Sequence, residues 1–141
     1  MPANTSSLPT RDGSDHAGYL LLFRGEDWDH SVPTEELERF VQRVHAWFDG
    51  LAAAGKVRGG QAIGREGAIV SARAVVDGPF IESKEAIGGF LHLAVHTLEE
   101  AVAIAKSCPT LEYGITIEVR PALNECPVNR RIQERLASAA A

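Results

Sequence analysis

Five histidines, two cysteines and 19 Asp and Glu are the groups with which this chain could move protons, hold metal or attack a substrate. His92 and His96 invite a metal reading. Yet Phe90 to His96 (FLHLAVH) has the composition of a strand, where residues four apart stand about 13 Å from one another, too far to share an ion. No other grouping of His, Cys and carboxylates has ligand spacing, so no metal site is expected. No glycine-rich loop sits between a strand and a helix to cradle phosphate, no serine stands in a nucleophile elbow, and no cofactor is expected. Gly59-Gly60 and Gly88-Gly89 fit bulges or close backbone approach instead.

His92 is the first candidate for acid–base chemistry, because imidazole titrates near neutrality and its strand neighbours are apolar. A structural, partly buried histidine is the competing reading. Glu82 is the second candidate base, in the charged loop that follows Asp77-Gly78-Pro79-Phe80. Arg73 and Lys84 are candidates to hold an anion, with Asp77 and Glu118 as further polar contacts. A solvated loop with exchangeable ion pairs competes for Glu82 and Lys84, and a plain turn competes for the Asp-Gly-Pro-Phe motif. Cys108 ends a predicted helix, where the dipole is negative, and reads as inert.

These residues need elements to position them. Gly18 to Arg24 reads as a first strand. Pro33, Thr34, Glu35 and Glu36 announce a helix, with Thr34 as its capping hydroxyl. Leu37, Phe40, Val41, Val44, Phe48 and Leu51 then make one apolar face, and Gly55 suits a left-handed end. Val57 to Ile63 and Ala68 to Val76 read as a hairpin across Gly64 to Gly67, with Ser71 and Arg73 pointing outward. Phe80 to Ile87 reads as a loop or a single turn. Phe90 to His96 is the next strand, and Thr97 with Glu100 signals a second helix striped by Leu98, Ala101, Val102 and Ala105. Ile115 to Arg120 alternates cleanly as the last strand. Val128, Ile132 and Leu136 suggest a short C-terminal helix.

The order β-α-β-β-β-α-β predicts an α+β ferredoxin-like sandwich, an antiparallel sheet with two helices on one face. Its other face would carry Phe90, His92 and His96 beside Glu118 and Arg120, with apolar residues of the first strand. A face that mixes leucine and phenylalanine with charge predicts a homodimer whose sheets enclose a semi-polar cavity.

The chain has 141 residues, 45% apolar and 23% charged, which suits one globular domain. Fourteen Lys and Arg against 19 Asp and Glu leave a net charge of −5, which argues against nucleic acid as a direct partner. The longest apolar runs, such as Tyr19 to Phe23, fall far short of the roughly 20 residues that span a bilayer, so no membrane partner is expected. The N-terminal residues lack an apolar signal core, and the two cysteines are expected as free thiols; both imply a cytoplasmic, soluble protein. Residues 1–17 read as a disordered leader, 18–122 as the domain and 123–141 as a C-terminal extension.

The run DGPFIESKEAIGGFLHLAV resembles the DGPF-motif branch of the YCII-related family. AWFDGLAAAGKVRGGQAI upstream, and TLEEAVAIAKSCP and IEVRPA downstream, match the same family in order. The resemblance implies a dimeric α+β barrel of ferredoxin-like subunits and largely unassigned activity. Better-studied YCII-type members are associated with a His–Asp pair. Here Cys108-Pro109 replaces Asp-Pro, and His45, counted back from Gly55, lies one residue out of register, so the pair does not transfer.

Together these features predict a small polar or anionic organic ligand bound between two subunits, with cofactor-free isomerase or lyase chemistry. The alternative is a regulatory module, since relatives of this branch are often encoded beside or fused to sigma-factor-like regulators. Arg130, Arg131 and Arg135, beside Ile132 and Leu136, would then form its contact element.

Overall fold

The structure, a computed structural model, describes residues 16–25, 28–78 and 86–140. Six strands and three α-helices follow one another: β1 (His16–Arg24), α1 (Leu37–Ala53), β2 (Val57–Ala62), β3 (Gly67–Val70), β4 (Val75–Gly78), β5 (Ile87–Leu93), α2 (Leu98–Lys106), β6 (Thr116–Leu123) and α3 (Pro127–Ala140). Four of the strands form an antiparallel sheet in the order β2-β5-β1-β6. With α1 and α2 as its crossovers this is the ferredoxin-like α+β arrangement.

The core explains the register. Tyr19, Leu21, Leu91, Leu93 and Val95 are buried together with Ala101 and Ala105 of α2, and Trp47 and Leu51 of α1 pack against the same cluster. Both helices therefore cover one face, as alternation in β1, β5 and β6 predicts. Thr97 caps α2, its hydroxyl accepting the Glu100 N–H at 3.1 Å. Ala101 and Ala105 are the buried residues of α2, whereas Leu98, assigned to the buried stripe, is exposed. Pro121 is tolerated within β6 because β6 is an edge strand.

Two expectations need correction. Thr34 does not cap α1: a 3₁₀ turn, Thr34–Glu36, precedes the helix, and neither start has a side-chain cap. The hairpin is also different. β2 pairs only with β5, while Ala68 to Val76 folds back on itself, β3 pairing with β4 as a separate two-stranded sheet. Ser71, Ala72, Arg73 and Ala74 interrupt the β-branched run, and Ser71 N–H to Ala74 C=O at 2.9 Å closes the turn. Ser71 and Arg73 thus belong to a hairpin tip and not to the main sheet.

α3 is the expected C-terminal helix, 14 residues long and without a buried side chain. Among the described residues no helix is long and apolar enough to cross a membrane.

Candidate functional site: a cleft beneath α1

α1 covers the sheet only in part. Phe40 is its single buried residue, held by the edge of the Tyr113 ring at a centroid distance of 5.0 Å. Arg43 paired with Glu112, and Tyr113 donating to Glu36 at 3.2 Å, fix the same end. Toward its C-terminus the helix stands beside strands that carry several small residues, Gly59, Gly60, Ala62, Gly88 and Gly89. Gly60 pairs with Leu91 and Ala62 with Gly89 in the β2–β5 ladder. The result is an open cleft of about 620 Å³, roofed by Val44, Trp47 and Phe48 and floored by glycine backbone. Close approach holds at one glycine of each pair: a Cβ at Gly60 would stand 2.7 Å from the Phe90 carbonyl oxygen and one at Gly89 3.0 Å from that of Gln61, whereas nothing lies within 4 Å of one at Gly59 or nearer than 3.8 Å to one at Gly88.

The polar groups of the cleft are few. His45 and Asp49, one turn apart on α1, stand exposed on its wall. Cys108 and Thr110 are buried at its inner side and share a hydrogen bond of 3.1 Å, Sγ to Oγ1. Trp47 is pinned by its indole N–H, which donates to Ser107 Oγ at 2.8 Å, and Ser107 Oγ donates in turn to the Ile104 carbonyl at 2.7 Å. An imidazole, a carboxylate and a thiol are groups that can move a proton on a bound molecule without a cofactor. Among the described residues no group of three or more His, Cys, Asp and Glu could hold a metal.

The residues singled out from sequence lie elsewhere. His92 and Glu118 are on the sheet face away from the helices. His92 is half-buried and donates from Nε2 to the Ala17 carbonyl at 2.9 Å, a tie between β5 and the start of β1. Glu118 accepts from Arg24 Nε and Nη2 at 2.9 and 2.7 Å, and from Arg120 Nη1 at 2.9 Å. The Arg24 hydrogen bond, then that from Arg120, holds its carboxyl below the usual carboxylate range. Both its oxygens are therefore occupied. Arg73 and Asp77 are exposed on the β3–β4 hairpin. Glu82 and Lys84 lie outside the described residues, as do Pro79 and Phe80 of the Asp-Gly-Pro-Phe motif and the leader up to residue 15.

His45, set aside by register counting, lines the same cleft as Cys108. Two signals for it were present in the sequence. Val44, Phe48 and His45 share an arc of the helix, and paired glycines on two strands leave the opposing face unfilled.

The two thiols have opposite surroundings. Cys108 is buried, whereas Cys126 is exposed at the start of α3, and both are free. Backbone N–H groups of Asn129 and Val128 draw the Cys126 thiol below its usual value. A disulfide reagent such as DTNB is therefore expected to label one thiol per native chain. The midpoint of its pH–rate curve should fall below the ordinary thiol value of about 8.5. Cys108 should react only after unfolding; two fast thiols in the native protein would contradict its burial.

No curated protein sequence matches the chain. A family model described as the YCII-related domain matches residues 19–122, from β1 through the body of β6. The matched span contains the whole four-stranded sheet but for its ends, both crossover helices and the cleft between α1 and the sheet, and on that match the chain belongs to the YCII-related family.

Proposed function

We propose that the protein binds a small organic molecule in the cleft beneath α1, and that any reaction there is cofactor-free proton transfer of the isomerase or lyase kind. The observation that carries this reading is the cleft itself. Its volume, about 620 Å³, falls within the range of about 300–1,000 Å³ of small-molecule pockets. It combines an apolar wall with a few convergent polar groups, the usual composition of such sites. His45 and Asp49 are the candidates to act on a ligand from the roof, and Thr110 and Cys108 from the inner side. His92 and Glu82, named first from sequence, remain alternatives outside this cleft's described lining.

The reading includes a homodimer. Leu20 lies between His92 and Arg120, and Leu22 between Phe90 and Glu118, on the uncovered sheet face. An apolar strip bordered by the Arg24–Glu118–Arg120 network suits isologous packing against a second copy. The motif Asp77-Gly78-Pro79-Phe80 supports placement in the DGPF branch, and two free thiols fit a cytoplasmic location.

A second reading rests on α3. Val128, Ile132 and Leu136 are 46%, 49% and 65% exposed, beside three arginines, as a contact element of a regulatory module would be.

Native mass spectrometry of gently purified protein tests both. The expected result is a dimer that carries a discrete small-molecule adduct. An empty monomer would overturn the proposal, dimer and cleft alike. In a chain ending at Glu125 the adduct should persist; a macromolecular partner lost with residues 126–141, and no adduct in either form, would favour the regulatory module.

A further inference from the structure

We infer that the ligand of the cleft is an uncharged, planar ring compound and not an anion, an inference that rests on the cleft being the binding site. Among the described lining residues there is no Lys or Arg; the ionisable groups are His45, Asp49 and Cys108. An anion would meet, among the described lining residues, one carboxylate and no Lys or Arg, and desolvating it without a partner is costly. Arg73, the described cation that sequence pattern assigned to an anion, is on a hairpin tip and absent from the lining.

The shape argues for a flat molecule. The floor is peptide backbone at Gly60 and Gly89, which carry no side chain to interrupt it, with the methyl of Ala62 between them and Leu91 and Val57 at its side. The roof is aromatic, Trp47 and Phe48, and the indole is held by its bond to Ser107. Phe23 closes the slot beside buried Ile115. A slab between backbone and aromatic faces makes most contact with a ring that stacks, by offset or edge geometry, on the roof. The hydroxyl of Thr110 and the groups at 45 and 49 can meet a polar substituent on the ring's edge.

Isothermal titration calorimetry at neutral pH with three probes tests this: 2-naphthol, which is neutral and planar; naphthalene-2-sulfonate, with the same ring and an anion; and cyclohexylmethanol, which is neutral and not planar. The full-length protein is expected to bind 2-naphthol at least about tenfold more tightly than either of the others. Ala62→Phe, on an exposed position of an edge strand, fills the slot and should weaken 2-naphthol at least about tenfold. Phe48→Ala removes the roof and should do the same should Ala62→Phe fail to fold. Equal or tighter binding of the sulfonate or the alcohol, still abolished by Ala62→Phe, overturns the ligand class and leaves the cleft as the site. Absence of binding by all three, or binding that ignores both folded variants, overturns the cleft reading itself.

Discussion

Gly18→Ala is expected to cost about 3 kcal/mol or more of folding stability, read as a fall in the urea midpoint at unchanged slope. Gly18 has φ +106°, a region that L side chains rarely adopt, and a Cβ there would lie 2.1 Å from the Leu93 carbonyl oxygen. That oxygen is backbone in the central pair of strands, so it cannot rotate away. The strain of the dihedral alone is worth about 1–3 kcal/mol, and the collision adds to it. The residue sits where the β1–β6 register shifts, between His16 and Tyr19, and its N–H donates to His16 Nδ1 at 3.1 Å. The substitution would also disturb the open sheet face, because the same Cβ comes within 3.4 Å of His92 Nε2. Gly64→Ala is the matched control: nothing lies within 4 Å of a Cβ there, and stability should change by less than about 0.5 kcal/mol. If Gly18→Ala were equally mild, β1 could not pass β5 at the distance described.

The contrast between those two glycines also separates what was legible in the chain from what was not. β1, α1, β5, α2 and β6 were readable because each buries one face and its apolar residues recur at the period of its own geometry. Thr97 was readable as a cap because the signal is local and complete, a hydroxyl three residues before a glutamate in a first turn. Gly55, with φ +74°, ends α1 as its place after the apolar stripe suggests. Gly18 gave no such sign: its requirement comes from Leu93, 75 residues away along the chain, and from a register shift that a single strand does not announce.

β3 and β4 failed for a related reason. Ile69, Val70, Val75 and Val76 are all substantially exposed, so the run has β propensity and no period to say which face is inside. With period silent, nearest-neighbour pairing with β2 is the default, and β2 had a non-local partner in β5. The cleft was harder still, because it is made of missing side chains. Gly60 and Ala62 matter only once the ladder sets them against Leu91 and Gly89, and that pairing joins segments separated by the hairpin and by residues 79–85. His45 was visible as a residue, but its place against the cleft depends on helix rotation, and a single residue of slip in a count from the helix end is about 100°.

Leu93→Ala and Phe48→Ala, made in parallel, should separate the residues that hold the fold from those that make the site. Leu93 is 0% exposed, pairs across with Tyr19 on one side and Val57 on the other, and belongs to the cluster that includes Ala101 and Ala105. Truncating it removes three carbons from a space enclosed on every side, so the loss should be about 3–4 kcal/mol. A domain with a total stability of about 5–15 kcal/mol would keep its fold only narrowly. Phe48 is larger, and in a closed core its truncation would cost about 3–5 kcal/mol. Here it is 40% exposed over an open cleft, so its removal leaves no sealed cavity and should cost less than about 1 kcal/mol. Chemical denaturation of both variants reads the difference directly. A loss at position 48 as large as that at 93 would mean that α1 packs down on the sheet in solution and that the slot is closed. The expected order, a large loss at 93 and a small one at 48, instead means that Phe48, unlike Trp47 and Leu51 of the same helix, contributes little to folding. A phenylalanine 40% exposed above the cleft is then a surface that the proposed ligand would cover.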